Sequence, residues 1–224
     1  MTFDEVLRDD AAGDEDRRWE LIAELHVHGE PEDLDRAGRL SVDPVAARRA
    51  LAADVVGQLG VGGPLGADSL DLLLVMARDE SDPGVISSIA SGFGHIGDGR
   101  SLAPLIGWHT HPDAGVRYSV VFGLLRQPLP AAFDALVALS GDPDARVRDW
   151  ATFGLARNTD EDFPQLRDAL AARLDDEDVN TRVEAVYGLA VRGDERAERP
   201  LRELLESPPD SADVGLLATI RQEP

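Results

Sequence analysis

A chain of 224 residues with 43% apolar but only 5% aromatic content has the material for a core of Ala, Leu and Val between closely spaced helices, which suits a helical array better than a sheet. Its 22 basic residues are all arginine, and its 43 acidic residues leave a formal charge of -21. Duplex DNA or RNA and an anionic membrane face are therefore unexpected partners, because binding to either is driven by cationic neutralisation and counterion release. The absence of cysteine excludes disulfides, thiol catalysis and Cys-ligated zinc.

Thr2 and Glu5 have capping-box spacing, and Val6 and Leu7 start a short predicted helix that ends near Gly13. This first stretch is acidic and no apolar segment follows it, so no signal peptide is expected and the cytoplasm is the expected location. Residues 16–28 form the second predicted helix and stop at Gly29. Pro31 opens a short helix to Leu40. Asp43-Pro44 opens a long one to Leu59, ahead of the strongest break in the chain, Gly60, Gly62, Gly63 and Pro64. The apolar pattern resumes at Leu70, Leu73 and Leu74, but this stretch is interrupted by Asp71 and is far too short to cross a bilayer.

Asp82-Pro83 begins a third long helix, which Gly92, Gly94 and Gly97 weaken by propensity. A phosphate-cradling loop needs a strand before such glycines and a helix after them. Neither is present, so close helix packing is the expected reason for them. Leu102, Leu105 and Ile106 form a short helix with Pro104 in its first turn, where a missing N–H is tolerated. His111-Pro112 opens the fourth long helix, through Arg126. Pro128 and Pro130 mark a turn, and helices are predicted at 133–139, 142–158, 163–174, 177–192 and 196–205. Residues 210–221 read as a last, truncated helix with a polar face, which a stack needs to shield its end.

The stretch 142–158 is the phrase that the chain repeats. Val147, Ala151, Gly154 and Leu155 fall at i, i+4, i+7 and i+8, one face of an amphipathic helix. The phrase returns around Ala23, Ala52, Ile89, Val120 and Ala185, at intervals of 29, 37, 31, 31 and 34 residues. A period in that range means a solenoid of stacked helix pairs, here one elongated domain over residues 1–224.

These residues resemble the HEAT repeat family, in particular the phycobilisome-lyase-like variant. The resemblance rests on Asp43, Arg49, Ala52 and Val56-Gly57, on Asp142, Val147-Arg148, Ala151 and Gly154-Leu155, and on Asp178, Arg182, Ala185 and Gly188-Leu189. Pro104, Pro164 and Pro200 match the proline of the first helix. The resemblance implies an all-α fold, an α-α superhelix built as a right-handed solenoid of about six to seven helix pairs, with capping helices at 1–13 and 207–224. It also implies a ladder of Arg–Asp hydrogen bonds between repeats, expected to break near residues 82–117 because Ile86 replaces the arginine and His111 the aspartate.

HEAT-like arrays resemble one another in binding partners along the concave face of the second helices. Two positions per repeat lie near 200° and 240° from the core stripe, at roughly 100° per residue. In this chain they hold Trp19, Asp54, Tyr118, Phe122, Asp149, Phe153 and Tyr187, with Arg126 and Arg157 four residues beyond two of the rings. Exposed aromatic rungs mark a protein interface, and the arginines could hold a ligand carboxylate; the rings could equally pack against neighbouring repeats. The pairs His26/His28 and His109/His111 point about 200° apart if helical, so neither is expected to chelate a metal. No nucleophile elbow accompanies Ser88 or Ser91. No catalytic, cofactor or metal residue is therefore assigned. The expected function is a non-enzymatic protein- or peptide-binding scaffold or adaptor; its acidity without lysine fits first a salt-adapted cell or a GC-rich genome, where it serves solubility, and second a bias toward ligands carrying basic residues. The alternative is an accessory or catalytic subunit of a bilin-lyase-like modification system. The sequence leaves the oligomeric state open.

Overall fold

The computed structural model describes residues 15–127 and 130–206, and in the first helix the side chains of Glu20 and of Ile22 onward. The expected capping helices at 1–13 and 207–224, the Pro128 turn and the Trp19 side chain lie outside these. Among the described residues there are twelve α-helices: α1 Glu15–His28, α2 Pro31–Leu40, α3 Ala46–Leu59, α4 Gly66–Met76, α5 Pro83–Ile96, α6 Leu102–Trp108, α7 Ala114–Leu124, α8 Pro130–Leu139, α9 Ala145–Arg157, α10 Pro164–Ala171, α11 Val179–Ala190 and α12 Glu198–Glu206. Short 3-10 turns precede α6 and α12, and the described residues contain no strand.

The helices gather into two compact units, Met1–Gln127 and Pro128–Pro224. In the first, α1, α3, α5 and α7 pack side by side in chain order, and α2, α4 and α6 pack against them. In the second, α9 packs on α11, with α8, α10 and α12 against these two. The glycine-rich stretch 60–63, expected as the strongest break, lies inside the first unit, where Gly62 supplies a φ of 63° for the turn into α4.

The repeated apolar positions form the core. Leu51, Ala52, Val55 and Val56 of α3, Val85, Ile89 and Phe93 of α5, and Val116, Val120 and Val121 of α7 are fully enclosed, as are Val147, Ala151 and Leu155 of α9. Each fully buried Leu, Val or Phe contributes about 1.5–3 kcal/mol relative to exposure. The first repeat is out of register with the template: Ile22 and Leu25 are buried, whereas Ala23 is exposed. Small residues set the helix spacing. A Cβ on Gly57 would lie 2.7 Å from the Gly92 Cα, so α3 and α5 cross backbone to backbone. Close packing is thus the role of Gly92, as expected, while Gly97 ends α5 with a φ of 70°.

The helices α3, α7, α9 and α11 start two or three residues later than the sequence pattern places them, whereas α5 starts at Pro83 as expected; in three of the turns two carboxylates, not one, act as acceptors. Asp142 accepts from Asp144 N–H at 2.8 Å, and Asp144 is the residue that caps α9, through Arg146 and Val147 N–H. The same succession recurs at Asp176/Asp178, where Asp178 N–H donates to Asp176 and Asp178 caps α11 through Thr181 N–H. It recurs again at Glu80/Asp82 before α5. Asp178 is therefore the counterpart of Asp144, and Asp176 that of Asp142.

Arginines fasten these turns from one repeat to the next. Arg49 donates to both Glu80 oxygens, at 2.7 and 3.0 Å, and to the Asp43 carbonyl. Arg148 does the same to Asp176, at 3.0 and 3.1 Å, and to the Asp142 carbonyl. The expected break is real at Ile86, which is buried and apolar. Arg117 keeps the bonds within its own turn, to the His111 and Pro112 carbonyls, as its counterparts do.

Candidate functional site

Residues that recur in every repeat build the stack, so a function is to be sought where exposed positions depart from the repeat. Counting from the clamping arginine, the next position holds Ala50, Ser87, Tyr118, Asp149 and Val183 in successive second helices. Four further on stand Asp54, Ser91, Phe122, Phe153 and Tyr187.

In the second unit, Asp149, Phe153 and Arg157 follow one another four residues apart and share one face of α9. The rings of Phe153 and Tyr187 are half-buried, so they are neither free rungs nor enclosed core. Arg157 lies between them, its guanidinium carbon 5.5 Å from the Phe153 centroid and 5.4 Å from that of Tyr187. Its Nε donates to Glu184 at 2.7 Å. The expected ligand-binding arginine is thus engaged within the face, as the link between two aromatic rings.

Asp149 is half-buried and has no hydrogen-bond or ion-pair partner among the described residues. Burial pushes its carboxyl up to about 6, the Asp178 and Asp176 charges push the same way, and Arg157 opposes them. Beside it, Trp150 is 39% exposed, with its ring centroid 5.7 Å from that of Phe153 at an angle of 58°. Sequence reasoning missed Trp150 because it sampled two wheel positions per helix. The usable signal was its i, i+3 spacing from Phe153.

In the first unit, Tyr118 and Phe122 of α7 are half-buried, Arg126 beyond it is exposed, and Asp54 of α3 is half-buried. Phe122 meets the His95 ring edge-on at 5.2 Å, and a Cβ on Gly94 would come within 2.7 Å of it. Its ring therefore lies against the α5 backbone as a packing contact. His95, not singled out from the sequence, has its pKa lowered by burial first, then by Arg126 and His26.

His109 and His111 lie in a turn, and both serve the backbone: His109 Nδ1 lies 2.6 Å from the Ile106 carbonyl, and His111 Nδ1 accepts from Asp113 N–H at 3.1 Å. His111 thus replaces the first carboxylate of the turn, while Asp113 remains the helix cap. Among the described residues no cluster of three His, Cys, Asp or Glu could hold a metal, and no helix is long and apolar enough to cross a membrane.

A family model described as HEAT repeats matches residues 70–156 and again 133–215. A search of curated proteins finds no match. Among solved structures, YIBA_ECOLI superposes with a TM-score of 0.77 at 22% identity, covering 92% of this chain and 77% of its own. A designed armadillo repeat protein in complex with peptide (KR)4 superposes with a TM-score of 0.62 at 20% identity, over 84% of this chain and 97% of that one. The phycocyanin lyase complex of CpcE and CpcF from Nostoc sp. gives 0.42 at 19% identity over 86% and 96%, too loose a likeness to bear on function. With two overlapping matches across most of its length and the arginine-fastened helix pairs that produce them, the chain belongs to the HEAT repeat family.

Proposed function

We propose that this protein is a non-enzymatic scaffold that binds a protein or peptide segment carrying basic residues along its second helices, with Phe153 and Tyr187 at the centre of the contact. One observation carries the reading. At the outer wheel positions of α9 and α11 the repeat pattern gives way to aromatic rings and a carboxylate, Asp149, Trp150, Phe153 and Tyr187, which take no part in the turns or the arginine ladder. Aromatic side chains supply apolar contact area at small entropic loss, and a surface of charge -21 favours approach of a cationic ligand. A designed armadillo repeat protein of similar fold is in complex with the basic peptide (KR)4, which supports peptide binding by a repeat protein of this kind.

In the first unit, Phe122 and Arg126 and Asp54 of α3 hold the corresponding positions of their own helices and belong to the same reading. The test is fluorescence anisotropy of the whole protein against labelled peptides of basic, acidic and apolar composition, with Phe153→Arg as the variant. Basic peptides bind the parent, and the substitution weakens them at least about tenfold, the equivalent of about 1.4 kcal/mol. Equal binding of all three compositions, or full retention by a folded Phe153→Arg variant, overturns the reading.

A further inference from the structure

Asp149 and Trp150 set one repeat apart from its neighbours. Where Asp149 stands, the other second helices carry Ala50, Ser87, Tyr118 and Val183; where Trp150 stands, they carry Leu51, Ser88, Ser119 and Glu184. Neither residue is needed to make the turn, the core or the arginine ladder. A carboxylate that is half-withdrawn from water, without a hydrogen bond, lies one residue from a partly exposed indole; the indole meets the Phe153 ring, and the carboxylate stands one turn before that ring on the same face of α9. The electrostatics around it run one way: Asp176 and Asp178, from the turn before α11, add negative potential, and Arg157 of α9 offsets part of it. Arg157 is itself held by Glu184 and two rings, so it does not reach over to pair with Asp149.

We infer that Asp149, Trp150 and Phe153 form a subsite for a single arginine side chain of the bound segment. The carboxylate is its counter-ion, and the tilted rings supply the wall on which the guanidinium lies. The same face already shows that chemistry, since Arg157 pairs with a carboxylate while lying against Phe153 and Tyr187. A planar guanidinium can meet a carboxylate through two N–H groups and stack on an indole at once. An ammonium can do only the first, as a point charge, so arginine is preferred to lysine.

This inference rests on the scaffold reading, and the experiment separates the two. Octa-arginine and octa-lysine are titrated into the whole protein by calorimetry at neutral pH and moderate salt. The variants are Asp149→Asn, Trp150→Ala and, as a charge-matched control on the exposed face of α8, Asp134→Asn. Octa-arginine binds the parent more tightly than octa-lysine. Asp149→Asn and Trp150→Ala each weaken it about tenfold and narrow the difference between the two peptides, and Asp134→Asn leaves it within about twofold. If the parent binds neither peptide, the scaffold reading for basic ligands falls and the subsite with it. If both bind and Asp149→Asn behaves like Asp134→Asn, the subsite alone is overturned.

Discussion

With its carboxyl pushed up from 3.8 to about 6 by burial and by Asp178, Asp149 takes up a proton more readily in the folded chain than in the unfolded one. Between those two values the folded state binds more protons, so stability falls as pH rises through the window, and the loss is complete above about pH 6. At neutral pH the ionised carboxylate therefore works against folding. Asp149→Asn should raise stability by on the order of 1 kcal/mol, after allowance for the solvent that screens a half-buried group. Denaturant unfolding at neutral pH and at pH 4 checks this, the gain being expected at neutral pH and largely lost at pH 4. A substitution that stabilises the fold while weakening peptide binding marks a residue kept for a ligand. Arg192 shows the opposite logic. Its guanidinium donates to the carbonyls of Leu155, Ala156, Thr159, Glu161 and Gly188, closing the end of α9 over the following loop, and it is committed to structure alone.

At the scale of the helix pair, the rung that would join the α5 repeat to the next has lost both halves. Ile86 stands where Arg49 and Arg148 donate, and His111 stands where Glu80 and Asp176 accept. An arginine at 86 would otherwise bring a guanidinium into a largely enclosed place facing an imidazole whose Nδ1 is already taken by Asp113 N–H. Ile86→Arg and His111→Asp should each destabilise alone, whereas the double variant should recover about 1–3 kcal/mol of the summed loss. Chemical denaturation of the four proteins measures this coupling, and strict additivity would mean that the two positions do not form a rung. The crossing of α3 and α5 sets a sharper limit. A methyl on Gly57 meets the Gly92 backbone at 2.7 Å, with no flexible side chain to yield, so overpacking is the expected outcome of Gly57→Ala at a loss of about 1–3 kcal/mol.

Across the molecule, carboxylates tied to arginines and to turn N–H groups control the response to acid. Arg49 and the N–H groups of Ser81 and Asp82 hold Glu80 down at about 2 instead of 4.5, and Asp194 and Asp176 are lowered in the same direction by their arginine and backbone partners. A depressed carboxylate contributes stability that is fully present above its unfolded value and is lost as pH falls through the folded one. Thermal melts should therefore fall steeply between pH 4.5 and about 2, and Glu80→Gln should flatten that slope while lowering the melting temperature at neutral pH. A variant with an unchanged acid slope would show that the Arg49 rung adds nothing to folding.

The all-helical repeat was legible in the sequence, because a core face repeated at helical spacing between Asp-Pro turns and small residues leaves few other ways to bury Val147, Ala151 and Leu155 and their counterparts. So were most second helices, the packing role of Gly92 and the gap at Ile86. The turn with two acceptors was not. Asp142 and Asp144 look alike as residues, and only the bonds that each carboxylate accepts distinguish a turn from a cap. The candidate site was half legible. A helical wheel found Asp149, Phe153, Arg157 and Tyr187, but it could not tell that Arg157 would be held between two rings while Asp149 went without a partner. Wheel position depends on the order of residues along one helix and is written in the chain. Exposure, pairing and pKa depend on what the neighbouring helix brings to the same place, and only the packed structure decides that.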